Sequence, residues 1–316
     1  MKEIKYRGHL IESIDSLAEA LGLPSKELFD LANHADEYYR PNRPEIKPNG
    51  GVRQTYCVLA RLKAIQTKIK EEIFYNVEFP NYLQGGIKDT ANPRDYIKNA
   101  GMHAGKRIVI KEDIANFFPS IQALYILNVW KYFFHFPDEV SQVLTKLTTL
   151  NGYVPQGAVT SSYIANLVFW DIEPQVEETL SQRGFTYSRL VDDITVSSDQ
   201  KVSQQNCNFI VSSIYKMLFN KALKPKRKKH FIQSSNHRIT IHNLNVNSQK
   251  PTLPNKERQK IWANVKECES MALSNPNKDE YKKLFNKTRG KVAVLARLHP
   301  HLGKKYIDRL NAIKPS

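Results

Sequence analysis

The stretch YSRLVDDITVSS (Tyr187–Ser198) decides how the chain folds. Val191, Ile194, Thr195 and Val196 favour extended backbone, because branched side chains pack well on a pleated surface. Two adjacent carboxylates, Asp192 and Asp193, interrupt that run. Two short strands around a turn is the pattern it predicts. The like charges at the turn leave two readings: a solvent-exposed hairpin tip, or a pair of carboxylates that holds metal.

A third acid sharpens the choice. KRIVIKEDIANFFPSI begins as a strand through Ile108, Val109 and Ile110, and Asp113 closes that run. If the two strand segments are neighbours, a tight turn brings Asp192 or Asp193 beside Asp113. Carboxylates that close repel unless a divalent cation neutralises them. Oxygen donors with no nearby His or Cys select Mg²⁺, with Mn²⁺ as the substitute. Two such ions held by acids are a common device for phosphoryl or nucleotidyl transfer.

The rest of the chain supplies the setting. Its 316 residues suffice for a large core, and 41% hydrophobic with 10% aromatic residues excludes a disordered chain. The net charge of +16 points to a polyanionic partner, with nucleic acid first. Cys57, Cys207 and Cys268 have no paired spacing, which argues against disulfides or a zinc knuckle and suits a cytoplasmic setting. No apolar leader opens the sequence and no segment is apolar enough to span a membrane.

SIDSLAEALGLP reads as a helix, and Ser25 as the N-cap of a second over KELFDLANHADEYY. RPNRPEIKPNGG (Arg40–Gly51) is a turn-rich boundary. LARLKAIQTKIKEEIF predicts an amphipathic helix with Leu62, Ile65, Ile69 and Ile73 on one face. Residues 122–150 read as helices, SSYIANLVFWDIEPQVEETL as another, HRITIHNLNVN as β, and everything after Pro251 as helical. The fold class is therefore α+β, with one sheet in the middle of the chain.

In order along the chain, KEDIANFFPSI, GYVPQGAVTSSYIANLVF, YSRLVDDITVSS, LKPKRKKH and HRITIHNLNVN resemble the five successive motifs of the reverse-transcriptase palm. With NAGMH (Asn99–His103) upstream and a short helical tail, the chain resembles the retron-type bacterial reverse transcriptases. The resemblance implies a right-hand polymerase: residues 1–50 as an N-terminal helical extension, 51–250 as fingers and a palm with an antiparallel sheet, and 251–316 as a helical thumb. It implies Asp113, Asp192 and Asp193 as ligands of two Mg²⁺ ions, with the Ile114 carbonyl completing a metal shell. The amides of residues 115–118 would lie near the triphosphate. Phe118 would be the steric gate that prefers dNTPs over rNTPs, Gln156 a nucleotide or template contact beside Gly157, and Arg53 a triphosphate ligand. In LKPKRKKHF, Lys229, with Lys228 as the alternative, would donate a proton to pyrophosphate, while Lys226, Arg227 and Lys228 would hold RNA. Asn99 and His103 would contact RNA as well.

The same resemblance implies a structured noncoding RNA (msrRNA/msdRNA) as template, a branched RNA-linked single-stranded DNA (msDNA) as product, and a separate effector protein in anti-phage defence. Two rivals stand beside it: a bacterial defence reverse transcriptase with another primer or template, and a degenerate palm that only binds RNA. Two departures from the family pattern stand out. Leu190-Val191 precedes the acids where relatives carry Tyr-X, and Ile241-His242-Asn243-Leu244 replaces Val-Thr-Gly-Leu, with Asn243 expected to take the left-handed backbone of the missing Gly.

Overall fold

The computed structural model describes residues 3–46, 50–274 and 278–315. The chain packs into two compact units, Met1–Asn99 with Val109–Ile232 and Ala100–Ile108 with Gln233–Ser316.

The first unit opens with β1 (Lys5–Tyr6), α1 (Ile14–Leu21) and α2 (Ser25–Asn33). Ser13 caps α1 through a capping box with Ser16, satisfying amides that a helix start leaves open. Ser25, expected as a cap, is instead the first residue of α2 behind Pro24. Its hydroxyl is spent on Asp15 at 2.5 Å. Short strands lie in and just after the turn-rich stretch. Of β2 (Tyr39–Pro41), β3 (Glu45–Ile46), β4 (Val52–Arg53) and β5 (Tyr56–Val58), the inner two pair with each other, as do the outer two.

The spacing in α3 (Ala60–Glu72) buries Leu62, Ile65 and Ile69, with Ile73 buried just past its end. Gln66 is buried among them and donates to the Tyr39 hydroxyl at 2.8 Å and the Leu147 carbonyl at 2.9 Å. After β6 (Val77–Glu78) pairs with β1, α4 (Tyr96–Met102) leads out of the unit and β7 (Ile108–Asp113) leads back in.

Next come α5 (Phe117–Ser120), α6 (Ala123–Asn128), a π turn at Val129–Phe133, and α7 (Asp138–Thr148). Phe74 stacks on both Trp130 and Tyr163, at 5.3 Å each, in the core. The run expected as one helix is two, α8 (Ser161–Leu167) and α9 (Glu173–Gln182). Pro174 explains the break: it sits in the first turn of α9, where its missing N–H costs nothing, and could not continue α8.

The strands β8 (Thr186–Leu190) and β9 (Asp193–Ser198) form the expected hairpin. Its register runs from Thr186 opposite Ser197 to Leu190 opposite Asp193. After α10 (Gln204–Phe219), β10 (Phe231–Ser234) completes a four-stranded sheet in the order β10–β7–β9–β8. The acid-bearing strands β7 and β9 are therefore central neighbours.

In the second unit, residues 100–108 are tied to a later part of the chain. Gly105 N–H donates to the Val246 carbonyl and Ser235 N–H to that of Arg107, both at 2.8 Å. A hairpin of β11 (Thr240–Ile241) and β12 (Leu244–Asn245) turns through His242 and Asn243 at φ 48° and 64°. Asn243 is left-handed as expected, and His242 joins it, as a two-residue hairpin with both φ positive requires. Helices α11 (Asn255–Leu273), α12 (Lys278–Leu298) and α13 (Pro300–Asn311) follow, burying Ile261, Val265, Val292, Leu295 and Leu310. His299 of the HPH stretch is the junction between the last two, and its Nε2 accepts from Leu253 N–H at 3.1 Å. No described helix is long and apolar enough to cross a membrane.

Candidate active site

A cleft of about 820 Å³ opens in the first unit beside the tip of the β8–β9 hairpin. Its lining includes Arg53, Asp113, Ile114, Phe118, Gln156, Asp192, Lys226 and Lys229. Eight residues singled out from the sequence thus face one space, large enough for a nucleotide.

The sheet delivers the acids. Asp113 ends β7 and is buried. Asp192 lies in the two-residue turn between Leu190 and Asp193, and its carbonyl accepts from Ile114 N–H at 3.1 Å. Burial, then the charge of Asp113, raises the Asp192 pKa. Burial, then Asp192, lifts Asp193 to about 6. All three carboxylates therefore share one field. Among the described residues no three His, Cys, Asp or Glu side chains close tightly enough to enclose an ion as they stand. The Lys229 ammonium instead bonds the Asp113 carboxylate, with Lys226 at 3.8 Å on its other oxygen.

This pairing bears on two expectations. Burial works against the Lys229 charge, but Asp113, with Asp193 and Asp192 behind it, outweighs it and raises the Lys229 pKa. In this arrangement Lys229 is held protonated and is not tuned downward. Lys226, grouped with the RNA contacts, faces Asp113 in the cleft, whereas Arg227 and Lys228 are exposed beside it. The loop is anchored from below: His230 Nδ1 meets the buried Glu112 carboxylate at 2.5 Å, and Tyr215 donates to the same group at 3.3 Å.

The two phenylalanines divide their tasks. Phe117 is buried and stacks on Phe169 with ring centroids 6.0 Å apart. Phe118 is half-buried and lines the cleft. Among the amides expected near a triphosphate, that of Ala115 already donates to the Lys224 carbonyl at 2.8 Å. Arg53 pairs with Glu45 at 3.5 Å across β3 and β4, and its charge reaches Asp192. Gly157 permits a close approach, but to the protein itself. At φ 114°, its Cβ would stand 2.6 Å from the Tyr56 carbonyl oxygen, beside the bond from Tyr56 N–H to Gln156 O.

Asn99 and His103 do not present themselves to RNA. Both are fully buried. Asn99 donates to Ser188 Oγ at 2.7 Å behind β8. Burial, with Lys106 and His242 nearby, lowers the His103 pKa to about 3. Their work is inside the protein, since a side chain with no accessible surface offers a polyanion nothing to touch.

Sequence reading passed over Arg189 and Glu173, which meet as a fully buried pair at 2.6 Å. The available signal was an arginine within a β run, three residues before Asp192. Its partner lies on α9, beyond a helix break that periodicity did not reveal.

Comparison with known proteins agrees with this geometry. Residues 45–257 match the family model "Reverse transcriptase (RNA-dependent DNA polymerase)". The Retron Se72 reverse transcriptase of Salmonella heidelberg is 35% identical over 301 residues, covering 94% of this chain and 78% of that protein. The Retron Ec48 reverse transcriptase of Escherichia coli is 34% identical over 317 residues, covering 96% and 77%. The neighbouring acid-bearing strands, the motif order and these relatives agree: the chain belongs to the retron reverse transcriptases and is an RNA-directed DNA polymerase.

Proposed function

We propose that Asp113, Asp192 and Asp193 bind two Mg²⁺ ions and catalyse nucleotidyl transfer in the cleft. The observation that carries this reading is the grouping of acids at the cleft: Asp113 and Asp192 line it, Asp113 draws two ammonium groups, and next to Asp192 the Asp193 carboxyl is lifted to about 6 by burial and by the Asp192 charge. One buried and two half-buried carboxylates so close together are the oxygen donors that hard divalent cations satisfy. Bound there, the ions would activate the primer hydroxyl and stabilise the pyrophosphate leaving group.

The protein's own groups do the rest. The Phe118 ring, on the cleft wall, would exclude a nucleotide 2′-OH. Gln156 would orient the nucleotide or template. Arg53, released from Glu45, would receive the triphosphate through its planar fork of donors. Lys229, protonated as it stands, would move from Asp113 to the pyrophosphate and serve as the acid. Residues 251–316 would act as the helical thumb, and the exposed Arg227 and Lys228 would hold RNA through its phosphates.

The substrate reading extends this. A structured noncoding RNA would supply both template and a guanosine 2′-OH primer, giving branched RNA-linked msDNA in the cytoplasm, with a separate effector protein in anti-phage defence. Membership in the retron reverse transcriptases supports it. The test is primer extension with Mg²⁺ and dNTPs, on generic templates and on the RNA that co-purifies with the protein. Wild type is expected to extend, and Asp192→Asn to lose about 10³-fold or more in rate. Absence of any 2′-linked DNA on the co-purified RNA would remove the msDNA reading while leaving the polymerase.

A further inference from the structure

The turn that carries Asp192 is strained. Val191 and Asp192 are its two central residues, and Val191 has φ 60°. In such a hairpin turn the first central position calls for glycine, and a β-branched residue there is an outlier. Strain of this kind persists only where the surroundings over-determine it.

The surroundings here are specific. The fully buried Arg189 guanidinium donates to the Val191 carbonyl at 3.0 Å. Its other donors reach the Glu173 carboxylate at 2.6 and 2.7 Å and the Asn166 carbonyl at 3.2 Å. Tyr187 donates to Glu173 at 2.7 Å. Gly85 also packs against the turn: a Cβ there would stand 2.6 Å from Val191 Cγ2 and 3.1 Å from its backbone nitrogen. That segment is held in place by Gln84 N–H donating to the Arg189 carbonyl at 2.9 Å.

We infer that Arg189 is a positioning residue of the polymerase centre: neutralised by Glu173, it holds the Val191 carbonyl and so the left-handed turn that delivers Asp192 to the cleft. Only a planar fork with several donors can serve the carboxylate and the carbonyls together. Lysine would keep the charge and lose the fork. The inference rests on the reading of Asp192 as catalytic.

The experiment compares wild type, Asp192→Asn, Arg189→Lys and Arg189→Lys with Val191→Gly. Three quantities are read: primer-extension kinetics, the thermal midpoint, and hydrogen exchange of the Ile114 amide, which bonds the Asp192 carbonyl. Arg189→Lys is expected to lower kcat about 10²-fold, with the dNTP KM held within about threefold, and to speed Ile114 exchange. Glycine takes the left-handed backbone at no steric cost. Adding Val191→Gly should therefore recover about tenfold or more of the lost rate and slow the exchange, without restoring the thermal midpoint. A purely structural role predicts no such rescue.

Wild-type kinetics in Arg189→Lys, or no rescue by glycine, overturns the positioning role even when Asp192→Asn is inactive. An active Asp192→Asn overturns the reading of the site, and the positioning role with it. Should Arg189→Lys not fold, Gly85→Ala presses on the same turn through Val191. Lost activity with faster Ile114 exchange then supports the role, and unchanged values in both overturn it.

Discussion

At position 118 the proposed gate between dNTPs and rNTPs is a single ring. Phe118 lines the cleft while its neighbour Phe117 is spent on packing against Phe169. Truncation of Phe118 to alanine should therefore open space without hollowing the core. Phe118→Ala is expected to relax dNTP over rNTP preference by about tenfold or more, measured as the ratio of kcat/KM values for the two nucleotides. Unchanged discrimination would move the gate elsewhere. The acids were legible in the sequence because three carboxylates in β-favouring runs demand an explanation. Arg189 was not, because its meaning depends on Glu173, sixteen residues earlier and on a different element. The roles given to Asn99 and His103 followed from a motif match, which carries no information on exposure.

At the scale of the element, alternation and flanking residues revealed the β8–β9 hairpin, and periodicity revealed α3. Periodicity did not separate α8 from α9, since apolar positions continue through the break and only Pro174 marks it. Nor did it show what Gly157 faces. The close approach of Gly157 to Tyr56 joins β5 to the segment carrying Gln156 through one backbone hydrogen bond at 2.9 Å. A methyl group at Gly157 has backbone as its obstacle and a positive φ to tolerate. Gly157→Ala is expected to destabilise the protein by about 1–3 kcal/mol, read from chemical denaturation. A variant as stable as wild type would show that the segment shifts freely.

For the whole molecule, charge and titration set how it behaves in solution. The +16 charge should make RNA binding strongly salt-dependent. Between 50 and 200 mM salt, affinity is expected to fall about 10³-fold or more if six or more phosphates are neutralised. A flat salt response in a binding titration would contradict a phosphate-dominated interface. Acid sensitivity follows from His103, whose folded pKa of about 3 lies below its ordinary 6.5. The unfolded chain binds a proton that the folded chain refuses, so this contribution is full above about pH 6.5 and is lost as pH falls toward 3. From pH 7.5 to 5.5 the loss is about 1.4 kcal/mol. His103→Asn should flatten the slope of stability against pH over that range; an unchanged slope would assign it to other groups. Overall charge was readable at once from the sequence. The division into units was not, because local pattern does not say that residues 100–108 belong with a segment far downstream.

That division has a consequence for synthesis on the ribosome. Residues 100–108 emerge on the order of a hundred residues before the strands and helices that complete their unit. Until then His103 and its neighbours are wet, and the first unit holds an unclosed loop. All of the first unit is therefore made by residue 232, while the nascent chain carries residues 100–108 without their partners until the downstream segment follows. A message cut short before codon 233 would release a product with the acids of the cleft in place and a nine-residue segment lacking its partner.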